Sequence, residues 1–302
     1  MSPSLKNLHA DFLEDLEIAQ GRSLKTVENY DHYLLRFYDT QKIENVEDIT
    51  TDSVRAFRRL LAPDTENGLS IATVNYHLIA LRQFLKYLAR RDIEALDAEK
   101  IGLAKLAERD VDVLYPEEMD ALLAAPKGDS AEKKRDAAIL QTLFSTGMRV
   151  SELVSLDRDD IRPSSNEIAI RGKGNKVRVV FLSEQAQKAI SEYVERRMDV
   201  DPALFIRHKT GTSGSPDDLR LTPRTIQRLM KKYAAMAGLT KHITPHTLRH
   251  SFATDLLSNG ADVRQVQQLL GHASITTTQI YTHLTDVHLR EVHEKFHRKA
   301  AI

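Results

Sequence analysis

The chain has 302 residues, of which 41% are hydrophobic and 28% are charged, and its formal net charge is zero. This balance is typical of a folded globular protein, and the length favours two domains. Cysteine is absent, which excludes disulfides, thiol nucleophiles and cysteine-ligated metal sites. No apolar run is long enough to span a membrane, and the first residues lack a basic-then-apolar signal pattern. We therefore expect a cytoplasmic protein with no membrane partner.

Helical periodicity dominates the first third of the chain. The clearest helix follows Ser70, and one of its faces is apolar, formed by Val74, Leu78, Leu81, Leu85 and Leu88. The other face is polar and carries Asn75, Arg82, Gln83, Lys86, Arg90 and Arg91. For this helix taken alone, the polar face indicates exposure to solvent. The apolar pattern weakens between residues 95 and 113, which predicts a domain boundary near residue 108.

The middle third adds a small β-hairpin to further helices. Pro116 and the two acids after it predict a helix start, and a second helix should end at Gly147. Two β-rich runs, 167–171 and 176–182, flank Gly172-Lys-Gly-Asn, a sequence that suits a tight turn. Lys173 is therefore predicted at the tip of a hairpin.

The last third of the chain has a net positive charge, unlike the rest of the chain. Residues 1–108 hold 14 Lys and Arg against 18 Asp and Glu, whereas residues 203–302 hold 14 against 7 and contain nine of the twelve histidines. After a polar loop at 207–221, four helix starts are predicted, at Thr222, Thr244, Asp262 and Ser274. An anionic partner is expected for this part of the chain.

Several side chains in these elements could carry chemistry. His246 and Arg249 share a face in the first turns of one helix, Gly271 places His272 just beyond another, and Tyr281 follows on a short helix. Further upstream, Arg149 begins a helix with a carboxylate, Glu152, three residues later. Each of these residues alone has an ordinary structural explanation.

Together with Lys173, this set comprises two guanidiniums, two imidazoles, an amine and a phenol, with no cluster of acids to hold a metal ion. It suits phosphoryl transfer in which protein cations offset the charge on the phosphorane. A tyrosine hydroxyl can serve as the nucleophile of such a reaction. We expect neither a metal nor a cofactor.

Four stretches, 146–153, 172–176, 244–254 and 269–283, resemble the motifs of the tyrosine recombinases, most closely the Xer branch. The resemblance implies a mainly α fold. Residues 1–108 would form a helical, SAM-like core-binding domain that clamps DNA. Residues 109–302 would form a mixed, mostly helical catalytic domain with a small antiparallel β-sheet and a C-terminal docking helix.

The resemblance also assigns roles to residues. Tyr281 would attack the scissile phosphate and form a 3′-phosphotyrosyl link with a free 5′-hydroxyl. Arg149 and Arg249 would clamp the non-bridging oxygens with paired N–H donors. Lys173 would protonate the departing 5′-oxygen. Strand exchange through a Holliday junction would then need no nucleotide cofactor, because the covalent link preserves the phosphodiester energy.

The remaining implied roles concern support and DNA contact. His246 would help to move the proton of the nucleophile, His272 would hydrogen-bond the phosphate, and Glu152 would orient Arg149. In the first domain, the resemblance turns the polar helix face into a surface that contacts DNA, formed by Asn75, Arg82, Gln83 and Lys86.

The implied partners are double-stranded DNA with paired half-sites and other recombinase subunits. The assembly would be a homo-tetramer or a hetero-tetramer with a paralogue, and a division-linked DNA translocase could activate it. The tail after Tyr281 has an apolar set that should dock on a neighbouring subunit, or otherwise on its own: Val287, Leu289, Val292 and Phe296.

Three alternatives remain open from the sequence. The chain could resolve chromosome dimers, as Xer proteins do, or be the integrase of a phage, plasmid, integron or transposon. It could be a DNA-binding regulator with an inactive recombinase fold, although Tyr281 and both arginines are present. His293, Glu294 and His297 also fit the H-E-x-x-H pattern of zinc metallopeptidases, but only five residues follow to supply a third ligand.

Overall fold

A computed structural model describes residues 4–65, 68–106, 112–162, 165–172, 177–208 and 219–271. The chain divides into two compact units, Met1–Arg109 and Asp110–Ile302. None of the described helices is long and apolar enough to cross a membrane.

The described part of the first unit contains four α-helices, α1 (Leu5–Glu14), α2 (Leu24–Gln41), α3 (Thr51–Leu60) and α4 (Ile71–Ala89). A serine or threonine hydroxyl caps each one by accepting a backbone N–H three residues on, and these caps are Ser4, Ser23, Thr50 and Ser70. The apolar face predicted for α4 is buried in one core with the inward faces of the other three helices. Capping and apolar periodicity together account for this unit.

The second unit is mostly helical. Its helices are α5 (Pro116–Leu123), α6 (Ala131–Thr146), α7 (Val150–Ser155), α8 (Glu184–Val194), α9 (Pro223–Met236), α10 (Pro245–Ser258) and α11 (Val263–Leu270). Helix α6 packs against both α8 and α10 in the main core. A separate small apolar cluster, formed by Ala253, Leu257, Val266 and Leu270, holds α11 on α10.

The predicted hairpin is present as a two-stranded antiparallel sheet, β1 (Glu167–Arg171) and β2 (Val177–Phe181). The register pairs Glu167 with Phe181 and Arg171 with Val177. The structure therefore confirms the predicted fold class, mainly helical with a small antiparallel sheet.

A buried ionic network in the second unit was not predicted. Asp136 is almost fully buried, and its Oδ1 accepts bonds of 2.9 and 2.6 Å from Nε and Nη2 of Arg135. Its Oδ2 accepts the hydroxyl of Tyr233 at 2.8 Å, and burial together with this bond raises the pKa of Tyr233. The network fastens α6 to α9 and satisfies charges that would otherwise be costly to bury.

Candidate active site

Helix α10 carries the first two predicted site residues. Thr244 caps the helix by accepting the backbone N–H of Thr247 at 3.2 Å, and Pro245 occupies the first turn. His246 follows, and Arg249 lies one turn later. The backbone N–H of Leu114 donates to the hydroxyl of Ser251 at 2.9 Å, which ties the start of the second unit to the same helix.

Arg249 is buried and joins the ends of two other helices. Its Nη1 donates to the carbonyl of Gly147 at 2.6 Å, and its Nη2 donates to the carbonyl of Leu270 at 2.6 Å. Gly147 follows α6 and Leu270 ends α11, so this one guanidinium holds the C-terminal ends of the two helices next to each other.

Gly147 makes the close approach of α6 to α10 possible. It has φ +58°, a conformation that favours glycine, and its N–H donates to Leu143 at 3.0 Å to end α6. A Cβ here would lie 2.8 Å from Cε1 of Phe252 and 3.0 Å from Cδ2 of Leu270. A side chain would therefore force α6, α10 and α11 apart where Arg249 binds the Gly147 carbonyl.

We expect Gly147→Ala to lower the free energy of unfolding by about 2–4 kcal/mol, because left-handed strain and the clash with Phe252 add. Urea unfolding followed by circular dichroism measures the loss. Gly238→Ala is the matched control, since Gly238 has φ +73° in the same unit but no heavy atom within 4 Å of a built Cβ. Equal losses in the two variants would show that the close approach at Gly147 does not contribute to the free energy of unfolding.

Arg149 sits at the N-cap of α7 and is one-third exposed. Its backbone N–H donates to Oε2 of Glu152 at 2.7 Å, and its Nη1 donates to Oε1 at 2.9 Å. Its Nη2 reaches the carbonyl of Gly271 at 3.3 Å. The guanidinium is thus held on one side by a buried carboxylate, and it is exposed enough to meet an anion.

Glu152 is only 5% exposed and is paired with a second arginine, Arg178 on β2. Nη1 and Nη2 of Arg178 donate to the two carboxylate oxygens at 2.8 and 2.7 Å. Burial acts to raise the pKa of Glu152, but the bonds from Arg178 and Arg149 outweigh it and hold the pKa below its usual range. Glu152 is therefore an anion that orients two guanidiniums.

The C-terminal end of α11 is where these contacts meet. Three successive carbonyls, those of Leu269, Leu270 and Gly271, accept bonds from Arg178, Arg249 and Arg149 respectively. The negative end of a helix dipole favours such cations. The backbone immediately before His272 is consequently fixed against both predicted catalytic arginines.

His246 lies in the field of the same arginines. Partial burial, followed by the charges of Arg249 and Arg149, lowers its pKa below the usual value. The ring is therefore neutral at pH 7 and can accept a proton. Burial, with the nearby His246 and Arg249, likewise lowers the pKa of His250, one turn further on, to about 4.

The structure thus brings together four of the predicted site residues, Arg149, Glu152, His246 and Arg249. Lys173, His272 and Tyr281 lie outside the described residues, although β1 and β2 end on either side of the segment that contains Lys173. His293, Glu294 and His297 also lie outside them. Within the described ranges, no group of three or more His, Asp or Glu side chains could hold a metal ion.

The residues predicted to contact DNA in the first unit make contacts within their own chain. Asn75 is buried and exchanges two hydrogen bonds with the backbone of Ala104, at 2.8 and 3.0 Å. Arg82 donates to the carbonyl of Ile101 at 3.2 Å, and Arg82 and Lys86 each pair with Glu99 at 2.7 Å. These three side chains fasten the segment after α4, and Gln83 beside them is half-buried.

Sequence reasoning missed two sets of residues. Arg178 was not singled out, although a charged residue at an inward position of a short strand is a usable signal. Helix α9 was treated only as an amphipathic helix. It contains no acidic residue, and three of its exposed cations have no ion pair with a described residue: Arg224, Arg228 and Lys231.

Comparison with known proteins places these features in a family. Residues 112–288 match the Phage integrase family, and residues 10–92 match the N-terminal SAM-like domain of phage integrases. Tyrosine recombinase XerC of Listeria monocytogenes is 37% identical, with 97% of this chain and 98% of that protein covered. Tyrosine recombinase XerD of Oceanobacillus iheyensis is 35% identical, with 96% and 98% covered.

Solved structures show the same fold. The Tn1549 transposon integrase in complex with transposon right-end DNA is 21% identical with a TM-score of 0.72, covering 98% of this chain and all of that one. The XerA recombinase is 31% identical with a TM-score of 0.54, covering 97% of this chain and 99% of that one. The family match and the full-length relatives define the class of protein, an enzyme of site-specific DNA recombination.

The chain belongs to the phage integrase family. It is a tyrosine site-specific recombinase, and its full-length relatives are of the Xer type.

Proposed function

We propose that this recombinase cuts and rejoins DNA through a covalent link to Tyr281 and that Arg149 and Arg249 hold the scissile phosphate. The observation that carries the proposal is the convergence of both guanidiniums on the end of α11, each anchored by hydrogen bonds to protein groups. Anchored guanidiniums are held in a fixed orientation, which suits paired donation to the oxygens of a phosphate.

The roles of the other residues follow from their chemistry. His246 is neutral at pH 7 and can take the proton of the tyrosine hydroxyl as the phenolate attacks phosphorus. The bond from phosphorus to the 5′-oxygen then breaks, and Lys173 supplies the proton that this oxygen needs. His272 follows the anchored end of α11 and donates a hydrogen bond to the phosphate. Glu152 orients Arg149.

The proposal is tested by recovering the covalent intermediate from cells. The tagged protein is expressed in the organism that carries its gene, the cells are lysed in detergent with excess chelator, and DNA that stays attached is sequenced. Mass spectrometry of the nuclease-treated adduct should place the nucleotide on Tyr281. Absence of linked DNA, or linkage to another residue, would contradict the proposal. Loss of the adduct on chelation, with recovery on adding zinc, would instead support the hypothesis of a zinc site formed by His293, Glu294 and His297.

We further propose that the two units, 1–108 and 109–302, act as a DNA-clamping core-binding domain and a catalytic domain. The matches to the SAM-like domain and to the integrase family on either side of that boundary support this division. Duplex DNA is the partner, since relatives of the same fold were solved with DNA. The contact surface proposed for the first unit, formed by Asn75, Arg82, Gln83 and Lys86, requires the segment around Glu99 to move.

In the second unit, we propose that the basic face of α9, formed by Arg224, Arg228 and Lys231, binds DNA phosphates. We expect the double variant Arg224→Ala/Arg228→Ala to bind a fluorescent duplex of arbitrary sequence more weakly. Because each lost phosphate contact removes about one released counterion, the slope of log affinity against log salt should fall by about 2. Fluorescence anisotropy at several salt concentrations measures both quantities.

Arg196→Ala is the control for this measurement, because Arg196 is an exposed arginine that is already paired with Asp129. Its salt slope should match that of the unsubstituted protein. An unchanged slope in the α9 double variant would remove α9 from the DNA surface.

The biological role that we propose is Xer-like resolution of chromosome dimers in the cytoplasm by a tetramer of this chain, alone or with a paralogue. The proposed activator is a division-linked DNA translocase. The full-length similarity to XerC and XerD supports this role. A mobile-element role has the same chemistry, and the likeness in fold to a transposon integrase supports it. The sequence of the recovered DNA distinguishes them, since a chromosomal site at the replication terminus indicates the first.

We propose that the tail after Tyr281 joins neighbouring subunits. The second unit has an open groove between α5, α6, β2 and α10, and its lining includes Phe144, Phe181 and Phe252. Phe181 is 46% exposed, so an apolar helix from another subunit has a surface to cover.

We expect that truncation after Thr285 leaves the protein able to bind one half-site of the recovered DNA. Cooperative filling of a full site should fall by about tenfold or more, because the coupling contact is gone. Gel-shift titration on half-site and full-site duplexes measures both properties, and the half-site affinity is the internal control. Wild-type cooperativity in the truncated protein would mean that the tail packs on its own subunit.

A further inference from the structure

Arg178 is a nearly buried charge within a short hairpin. Along β2, Val177, Val179 and Phe181 are exposed, whereas Arg178 and Val180 point inward. The Arg178 side chain is only 12% exposed. A guanidinium in such a place is costly unless its donors are satisfied.

The contacts of Arg178 satisfy those donors on two different elements. Its two Nη atoms form the paired bonds to Glu152 already described, which tie β2 to α7. Its Nε donates to the carbonyl of Leu269 at 3.0 Å, which ties β2 to the end of α11. The planar fork of arginine makes these three bonds at once, and lysine cannot reproduce them.

Gly271 leaves the room that the Arg178 side chain needs. It ends α11 with φ +64°, and a Cβ built on it would lie 2.9 Å from Cδ of Arg178. The side chain of Arg178 therefore packs directly on the residue that precedes His272. Gly271 is the last described residue before the segment that contains the tyrosine of the proposed function.

Glu152 connects Arg178 to Arg149. Each carboxylate oxygen accepts one bond from Arg178 and one from Arg149, so the three side chains and the N-cap of α7 form one connected array. Without Arg178, the buried carboxylate of Glu152 would lose two of its four donors and keep only the two bonds from Arg149. Arg149 could then follow the carboxylate away from its position.

We propose that Arg178 is a positioning residue for strand cleavage: it holds Glu152, and through it Arg149, while it also fixes the end of α11. This inference rests on the proposed function of Arg149. Its consequence is a defect in the rate of the chemical step with little change in DNA affinity, because Arg178 uses its Nε and both Nη atoms on protein groups and orients Arg149 without removing it.

The test is single-turnover formation of the covalent adduct on a nicked duplex that carries the recovered sequence, at saturating protein. Arg178→Ala should form adduct about 100-fold more slowly, since a displacement of about 1 Å at a reacting centre costs this much. The affinity of the variant for the same duplex, measured by anisotropy, should stay within about threefold of wild type. This change in affinity is far smaller than the expected change in the rate of adduct formation.

Chemical rescue separates positioning from general stability. Millimolar ethylguanidinium should fill the space left in Arg178→Ala, bridge Glu152 and raise the adduct rate by about tenfold, because a charge-assisted paired bond is restored. It cannot repair a merely unstable fold. Arg158→Ala is the matched control, because Arg158 is a half-buried arginine of the same unit that bonds the carboxylate and carbonyl of Asp199. Its adduct rate should be normal and insensitive to ethylguanidinium.

Each outcome decides the question. Adduct formation by Arg178→Ala at the wild-type rate, or a slow rate that follows the folded fraction and is not rescued, overturns the inference. If Arg178→Ala does not fold, Arg178→Lys replaces it, and a wild-type rate in that variant is equally decisive against positioning. If the unsubstituted protein forms no adduct, the proposed function fails first, which is a distinguishable result.

Discussion

Tyr281→Phe is expected to bind the recovered DNA site normally and to form no covalent adduct with it. In the proposed function, the substitution removes only the hydroxyl that attacks phosphorus, and the arginines proposed to hold the phosphate remain. A nicked duplex that traps the covalent product, followed by denaturing gel electrophoresis, measures the adduct directly. Binding is measured on the same duplex by gel shift.

Two buried tyrosines of the second unit provide controls for this measurement. Tyr193 and Tyr233 lie in the core of the second unit, and burial raises the pKa of both hydroxyls. Tyr233→Phe should lose some stability, since the bond to Asp136 is lost, but it should still form adduct. An adduct in Tyr281→Phe would remove Tyr281 from the role of nucleophile and direct attention to other hydroxyls.

The second large effect is expected for Arg249→Lys. Adduct formation should fall by about 100-fold or more, because even the loss of one oriented donor to a developing oxyanion costs that much. Lysine keeps the charge, but it cannot donate to Gly147, Leu270 and a phosphate in the fixed geometry of a guanidinium. Single-turnover rates on the same nicked duplex measure the change.

Unfolding measurements complete that experiment. Arg249 joins the ends of α6 and α11, so part of any defect could come from a disordered site, and the loss of stability must be measured beside the rate. Arg135→Lys, which alters a buried arginine that bonds Asp136, is the control for such structural loss. Near-wild-type cleavage by Arg249→Lys would show that paired donation is not what this position provides.

Local signals were enough to predict most of the helices. Helix starts at Ser70, Pro116, Thr222, Thr244 and Asp262 were predicted from capping residues and proline, and all are present. The end of α6 at Gly147 was predicted in the same way. These features depend on a few neighbouring residues, so the chain alone contains the information.

The function of polar side chains on α4 could not be predicted in this way. A helical wheel shows that Asn75 and Arg82 share the polar side, which favoured solvent or DNA as their partner. In the structure, both bond the backbone of a segment some twenty to thirty residues later. Periodicity reports which side of a helix is polar, and it carries no information on which later segment packs there.

The sequence by itself determined the chemistry: two arginines, a histidine and a carboxylate at motif spacing, in a helical chain of the recombinase type. Tertiary structure alone decided how they are held. Arg149, Arg178 and Arg249 meet on three successive carbonyls at the end of α11, and these contacts join residues 122, 91 and 21 positions apart in sequence respectively. No local pattern encodes such contacts, because they form only after the helices have packed into their cores and the end of α11 lies beside α7, α10 and β2.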